Sequence, residues 1–119
     1  SEEDESSLDY FYFPKYLPVD FQVVEEISDG ELYYIRFENE DEFFYISQGS
    51  ILSAKQKRID TENSEIESIE IDGHQGFYAG MDDKQVIYLE MGNISICIYG
   101  NIGKKEMFQM ADNLELLKK

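Results

Sequence analysis

Between Glu65 and Tyr99 the chain reverses three times, and those corners constrain its fold more than any other feature. The stretch reads "EIESIEIDGHQGFYAGMDDKQVIYLEMGNISICIY". Asp72-Gly73, Asp82-Asp83 and Gly92-Asn93 are turn signals, and the runs between them are rich in β-branched and aromatic residues. Ile69 and Ile71 fall on one face and Glu70 on the other. Ile94, Ile96 and Ile98 likewise oppose Ser95, Cys97 and Tyr99. A chain written this way folds as successive antiparallel hairpins.

The first half extends the pattern. Phe21 to Ile27 reads as a strand, Asp29-Gly30 as a hairpin corner, and Glu31 to Glu38 as the partner strand. That partner places Leu32, Tyr34 and Arg36 on one face and Tyr33, Ile35 and Phe37 on the other. A polar turn at Asn39-Glu40-Asp41 leads into a strand from Glu42 to Gln48. Gly49 to Ser64, with Lys55, Lys57 and Arg58, reads as a long polar loop. Phe13 to Pro18 carries both prolines, which suits an irregular or edge segment laid over the core by its aromatic side chains. After Tyr99 the period changes from 2 to 3.6: Met107, Met110, Ala111, Leu114 and Leu117 form one apolar stripe, which predicts a helix from about Lys104 to Leu117. Lys118-Lys119 would then sit favourably at its C-terminus.

The expected fold is α+β: a single antiparallel, curved sheet of about six to seven strands, with a C-terminal amphipathic helix packed on one face. Residues 1–9 are expected to be a disordered acidic linker and residues 10–119 a single domain.

Charge narrows the function. The formal net charge of −16 repels phosphate backbones and anionic lipid headgroups, so neither nucleic acid nor direct membrane-surface binding is expected. Cys97 is the only cysteine, so no intrachain disulfide can form. No segment approaches the roughly 20 apolar residues that span a bilayer.

The single histidine, His74, follows Asp72-Gly73. In a two-residue turn it pairs with Ile71 at the hairpin mouth, with no nucleophile beside it in sequence. Cys97 lies inside a regular strand pattern, where thiols are inert. One His and one Cys cannot make a structural zinc site. An EF-hand counted from Asp60 fails, since Glu65 stands at the glycine position and Ile71 at the final glutamate. Acidic side chains are so abundant that no carboxylate pair stands out. No catalytic, cofactor-binding or metal-ligating residue is therefore expected. The aromatic surplus is the candidate surface: Tyr33, Tyr34, Phe43, Phe44 and Tyr45 sit on strands that are apolar on both faces. Either the Tyr10–Leu17 segment covers the second face, or that face forms an aromatic groove for a peptide, glycan or apolar ligand.

Several segments together resemble a known family. They are Leu17-Pro18-Val19-Asp20-Phe21, the strands ending at Gln48, "IEIDGHQGFY", the strand before Gly100, and "KKEMFQMADNLELL". From about Pro14 to Leu117 this resembles the bacterial domain-of-unknown-function family DUF4367. Tyr88 stands where that family more often has Trp. The resemblance implies an extracytoplasmic domain of Gram-positive bacteria, tethered by an N-terminal transmembrane helix or lipid anchor, with some relatives linked to sigma-factor regulation. It implies no catalytic residues. The expected function is a non-catalytic extracytoplasmic binding or sensing module for a protein, peptide or glycan. The alternatives are a secreted carboxylate-dependent hydrolase and a structural spacer.

Overall fold

The computed structural model describes residues 10–17, 20–29, 32–50 and 65–118. The acidic start 1–9, Gly30 of the first corner and residues 51–64 of the long loop lie outside the described residues. The strands are β1 (Tyr10–Pro14), β2 (Gln22–Asp29), β3 (Leu32–Glu38), β4 (Phe43–Ser50), β5 (Glu65–Ile71), β6 (His74–Met81), β7 (Lys84–Met91), β8 (Ile94–Gly100) and β9 (Leu114–Lys118). Helix α1 (Lys104–Ala111) lies between β8 and β9. Strands β2 to β8 form one seven-stranded sheet in the order β2-β3-β4-β8-β7-β6-β5, and β1 pairs with β9 in a separate ribbon. Every pairing is antiparallel.

The corners read from sequence set the second half of the sheet. Ile71 pairs with His74, and Asp72 and Gly73 both have positive φ, 53° and 82°, as a type I′ turn requires. Asp82 and Gly92, the first residues of the next two corners, also have positive φ. Pairing of β8 with β4 is long-range: Ile98 lies opposite Ile46 and Ile96 opposite Gln48. This pairing joins the three-hairpin half to the β2–β3–β4 half.

One face of the sheet carries the core. Ile35, Phe37, Phe44, Ile46, Ile87 and Ile98 are at most 2% exposed, and Met107, Met110 and Ala111 of α1 complete the packing. Phe11 and Phe13 of β1 and Leu114 of β9 pack onto the same cluster. Phe11 meets the ring of Tyr33 at 4.5 Å and Phe13 that of Phe37 at 5.8 Å, both edge-on. The Tyr10–Leu17 segment thus covers the face that α1 covers.

The helix is shorter than its apolar stripe predicts, and Leu114 and Leu117 belong to β9. Asp112-Asn113 ends it: the Asn113 side-chain amide donates to the Gln109 carbonyl at 2.7 Å, and the Asn113 N–H donates to Met110 at 3.1 Å. Side-chain capping of this kind competes with further helical bonds. β1 then supplies the ladder partner, with Phe11 opposite Leu117 and Pro14 opposite Leu114. Lys118 is therefore a strand residue and not a helix C-terminus.

Candidate functional site

Strand alternation divides the aromatic residues between two environments. Tyr33 and Phe44 point into the core, 5% and 0% exposed, because they share parity with Ile35 and Ile46. Tyr34, Phe43 and Tyr45 point to the outer face and are half-buried. Of the five residues singled out in the sequence, the fold brings these three together on one surface and sends Tyr33 and Phe44 to the other.

Register adds Tyr99 to that surface. It lies directly opposite Tyr45, with ring centroids 5.3 Å apart. Tyr34 meets Tyr45 at 5.1 Å and Phe43 meets Tyr99 at 6.2 Å, so four rings run as a connected row across β3, β4 and β8. A second pair, Phe77 and Tyr88, stacks at 5.4 Å on β6 and β7. Cys97 connects the groups, as the cross-strand neighbour of both Ser47 and Tyr88. Val86 and Ala79, next in the ladder beyond Tyr99, are fully buried. The described elements outside the sheet, α1 and the β1–β9 ribbon, lie on the opposite face. Tyr99, Phe77 and Tyr88 could be found only through the pairing of β4 with β8 and of β6 with β7, which no local signal encodes.

Charge sits at one end of the row. The Arg36 guanidinium lies 4.3 Å from the centre of the Phe43 ring, and its Nε donates to Glu38 Oε2 at 2.7 Å. The hydrogen bonds to Glu38 and Tyr34 raise its hold on the proton. Burial pushes the Tyr45 hydroxyl up to about 12, aided by Cys97, Tyr99 and Tyr34 and opposed by Arg36. Burial also pushes the Cys97 thiol up to about 12, which keeps it protonated and unreactive at neutral pH. Tyr88 is raised by burial and by Glu90, to which its hydroxyl donates at 3.3 Å. The row is therefore stacking in character, with the Arg36–Glu38 pair at one end.

His74 is half-buried beside the Asp72-Gly73 turn. It has the parity of Tyr78, on the core side, whereas Cys97 has the parity of Tyr45, on the outer side. The imidazole and the thiol thus occupy opposite faces of the sheet. Among the described residues no group of three or more His, Cys, Asp or Glu side chains is placed to hold a metal ion, and no helix is long and apolar enough to cross a membrane. A shallow groove runs between α1 and the β5–β6 corner, lined by Glu70, Asp72, Lys104, Lys105, Phe108 and Asp112 among others. Lys104 is engaged there, 4.6 Å from the Tyr78 ring centre and 3.6 Å from a Glu67 oxygen.

Neither a curated protein nor a solved structure matches the chain. A family model does, over residues 12–114: the one described as "Domain of unknown function (DUF4367)". That match runs from Tyr12 within β1 through the whole seven-stranded sheet and helix α1 to Leu114, the first residue of β9. The chain belongs to the DUF4367 family.

Proposed function

We propose that this domain is a non-catalytic binding or sensing module working outside the cytoplasmic membrane, with the outer face of its sheet as the contact surface. The observation that carries the reading is the connected row Tyr34, Tyr45, Tyr99 and Phe43. Tyrosines offer large contact area with few rotatable bonds, which suits stacking against a sugar ring or a peptide side chain. Packing against α1 is supplied by the other face, where Tyr33 and Phe44 are buried, and on the outer face the fully buried positions Val86 and Ala79 lie beyond the row. The family resemblance supports an extracytoplasmic, membrane-tethered setting, and the partner class is a protein, peptide or glycan.

The test is retention on arrays of immobilised glycans and peptides, comparing the chain with a Tyr45→Ala, Tyr99→Ala double variant. The expected result is at least one retained ligand whose affinity falls about tenfold or more in the double variant, equivalent to about 1.4 kcal/mol. Undiminished affinity in the variant, or no retained ligand on either array, overturns the reading; the second result points to a spacer.

A further inference from the structure

β2 is the end strand of the seven-stranded sheet, paired with β3, and no described strand borders its other edge. Its residues from Gln22 to Ser28 are all exposed. Val23, Val24 and Ile27 keep 50%, 52% and 45% of their surface in water. An edge bearing exposed β-branched residues is a template for another strand unless it is blunted. Here the blunting is partial. The register shifts between Val23 and Glu25, leaving Val24 without a partner on β3, and this bulge disturbs the first half of the strand. From Glu25 onward the register is unbroken: Glu25 lies opposite Arg36, Glu26 opposite Ile35 and Ile27 opposite Tyr34.

Charge selects the occupant. Gln22 to Ser28 holds two carboxylates, Glu25 and Glu26, and no cation, on a chain whose net charge is −16. Pairing β2 with β2 of a second copy would bring like charges together along the ladder and join two strongly acidic bodies. Glu25 shares the face of Arg36 and Glu26 the face of Ile35, so an incoming strand meets a carboxylate on each face. A segment alternating Lys or Arg with Val or Ile sets its cations beside Glu25 on one face and its β-branched residues beside Val23 on the other, where Glu26 already accepts a hydrogen bond from the Tyr33 hydroxyl.

We propose that β2 is the docking edge for an extended, basic, β-branched segment of a partner protein, which joins the sheet as an added strand. The inference stands on the β2 edge alone and does not depend on the aromatic row of the outer face.

The probe is a synthetic peptide alternating Lys and Val, compared with its Glu-Val counterpart, at about 0.15 M salt, where exposed charges are screened beyond about 8 Å. Amide exchange is followed residue by residue. The expected result is slowed exchange at the alternate β2 amides from Glu25 onward that point away from β3 with the Lys-Val peptide, and none with the Glu-Val peptide. The variant Glu25→Lys, an exposed change that leaves the core untouched, should weaken the Lys-Val peptide about tenfold and strengthen the Glu-Val peptide. Three results would overturn the proposal: protection spread over the acidic surface without a maximum at β2, equal binding by the variant, or concentration-dependent protection of β2 without peptide, which would mean pairing between copies.

Discussion

The carboxamide of Gln48 grips the backbone of Tyr12 on both sides: its Nε2 donates to the Tyr12 carbonyl at 2.9 Å, and its Oε1 accepts from the Tyr12 N–H at 2.7 Å. Gln48 is 1% exposed, and its same-face neighbour Ile46 and its cross-strand partner Ile96 are buried and apolar. It mimics a stretch of backbone and ties the β1–β9 ribbon to the centre of the sheet across 36 residues of chain.

Replacing Gln48 by Ala or Leu should therefore destabilise the fold by about 2–3 kcal/mol, since two buried backbone groups lose their partners. Denaturant unfolding checks the magnitude. Amide exchange checks the mechanism: it should quicken at Tyr12 more than at β7 or β8. Equal loosening throughout would argue against the pinning role.

Gly76 allows β6 and β7 to lie close. A Cβ added there would land on the carbonyl of Tyr88 and 3.0 Å from the Cα of Leu89, both backbone and so unable to turn aside. Gly76→Ala should cost about 3 kcal/mol or prevent folding. A Cβ at Gly73 meets nothing within 4 Å, so Gly73→Ala bears only its positive φ, at about 1 kcal/mol. Thermal midpoints of the two variants should rank accordingly.

These contrasts show which parts of the molecule are legible from sequence. The Asp72-Gly73, Asp82-Asp83 and Gly92-Asn93 corners are local chemistry, so the hairpins β5 to β8 can be read directly. The alternation of Tyr33 and Tyr34 along β3 is equally local. The placement of β8 beside β4 is a long-range choice, and with it goes the position of Tyr99 in the aromatic row. The chain end misleads for a different reason. Leu114 and Leu117 satisfy helical spacing, while Asn113 and the free edge of β1 decide for a strand. Tyr34, Phe43 and Tyr45 can be chosen from sequence as aromatics. Separating them from Tyr33 and Phe44 requires knowing which face the helix covers.

Tyr45 makes stability depend on alkaline pH. Its hydroxyl ordinarily ionises near 10, and burial raises that to about 12 in the folded chain. The folded state thus holds the proton more tightly than the unfolded state. The contribution is complete below pH 10 and is lost as the pH rises from 10 towards 12. Tyr33, raised by burial and by its hydrogen bond to Glu26, acts in the same direction. A spectrophotometric tyrosine titration should show a late-ionising class that merges with the rest on unfolding. In Tyr45→Phe the late class should shrink, and alkaline unfolding should begin at higher pH.

The Cys97 thiol is raised by burial from 9.0 to about 12. Alkylation by iodoacetamide at pH 8 should be slower in the native chain than in denaturant by about a hundredfold or more, because the thiolate is the reacting form. A native rate close to the denatured one would mean that the outer face opens readily around Cys97.

The central claim is that one sheet face is structural and the other is for recognition, and the most direct measurement is two-dimensional NMR of the aromatic rings while a ligand retained on the glycan or peptide arrays is added. Shifts should concentrate on Tyr34, Phe43, Tyr45 and Tyr99, with Tyr33 and Phe44 nearly still. Shifts confined to the groove beside α1, at Phe108 and Tyr78, with the outer tyrosines unmoved, would contradict that claim.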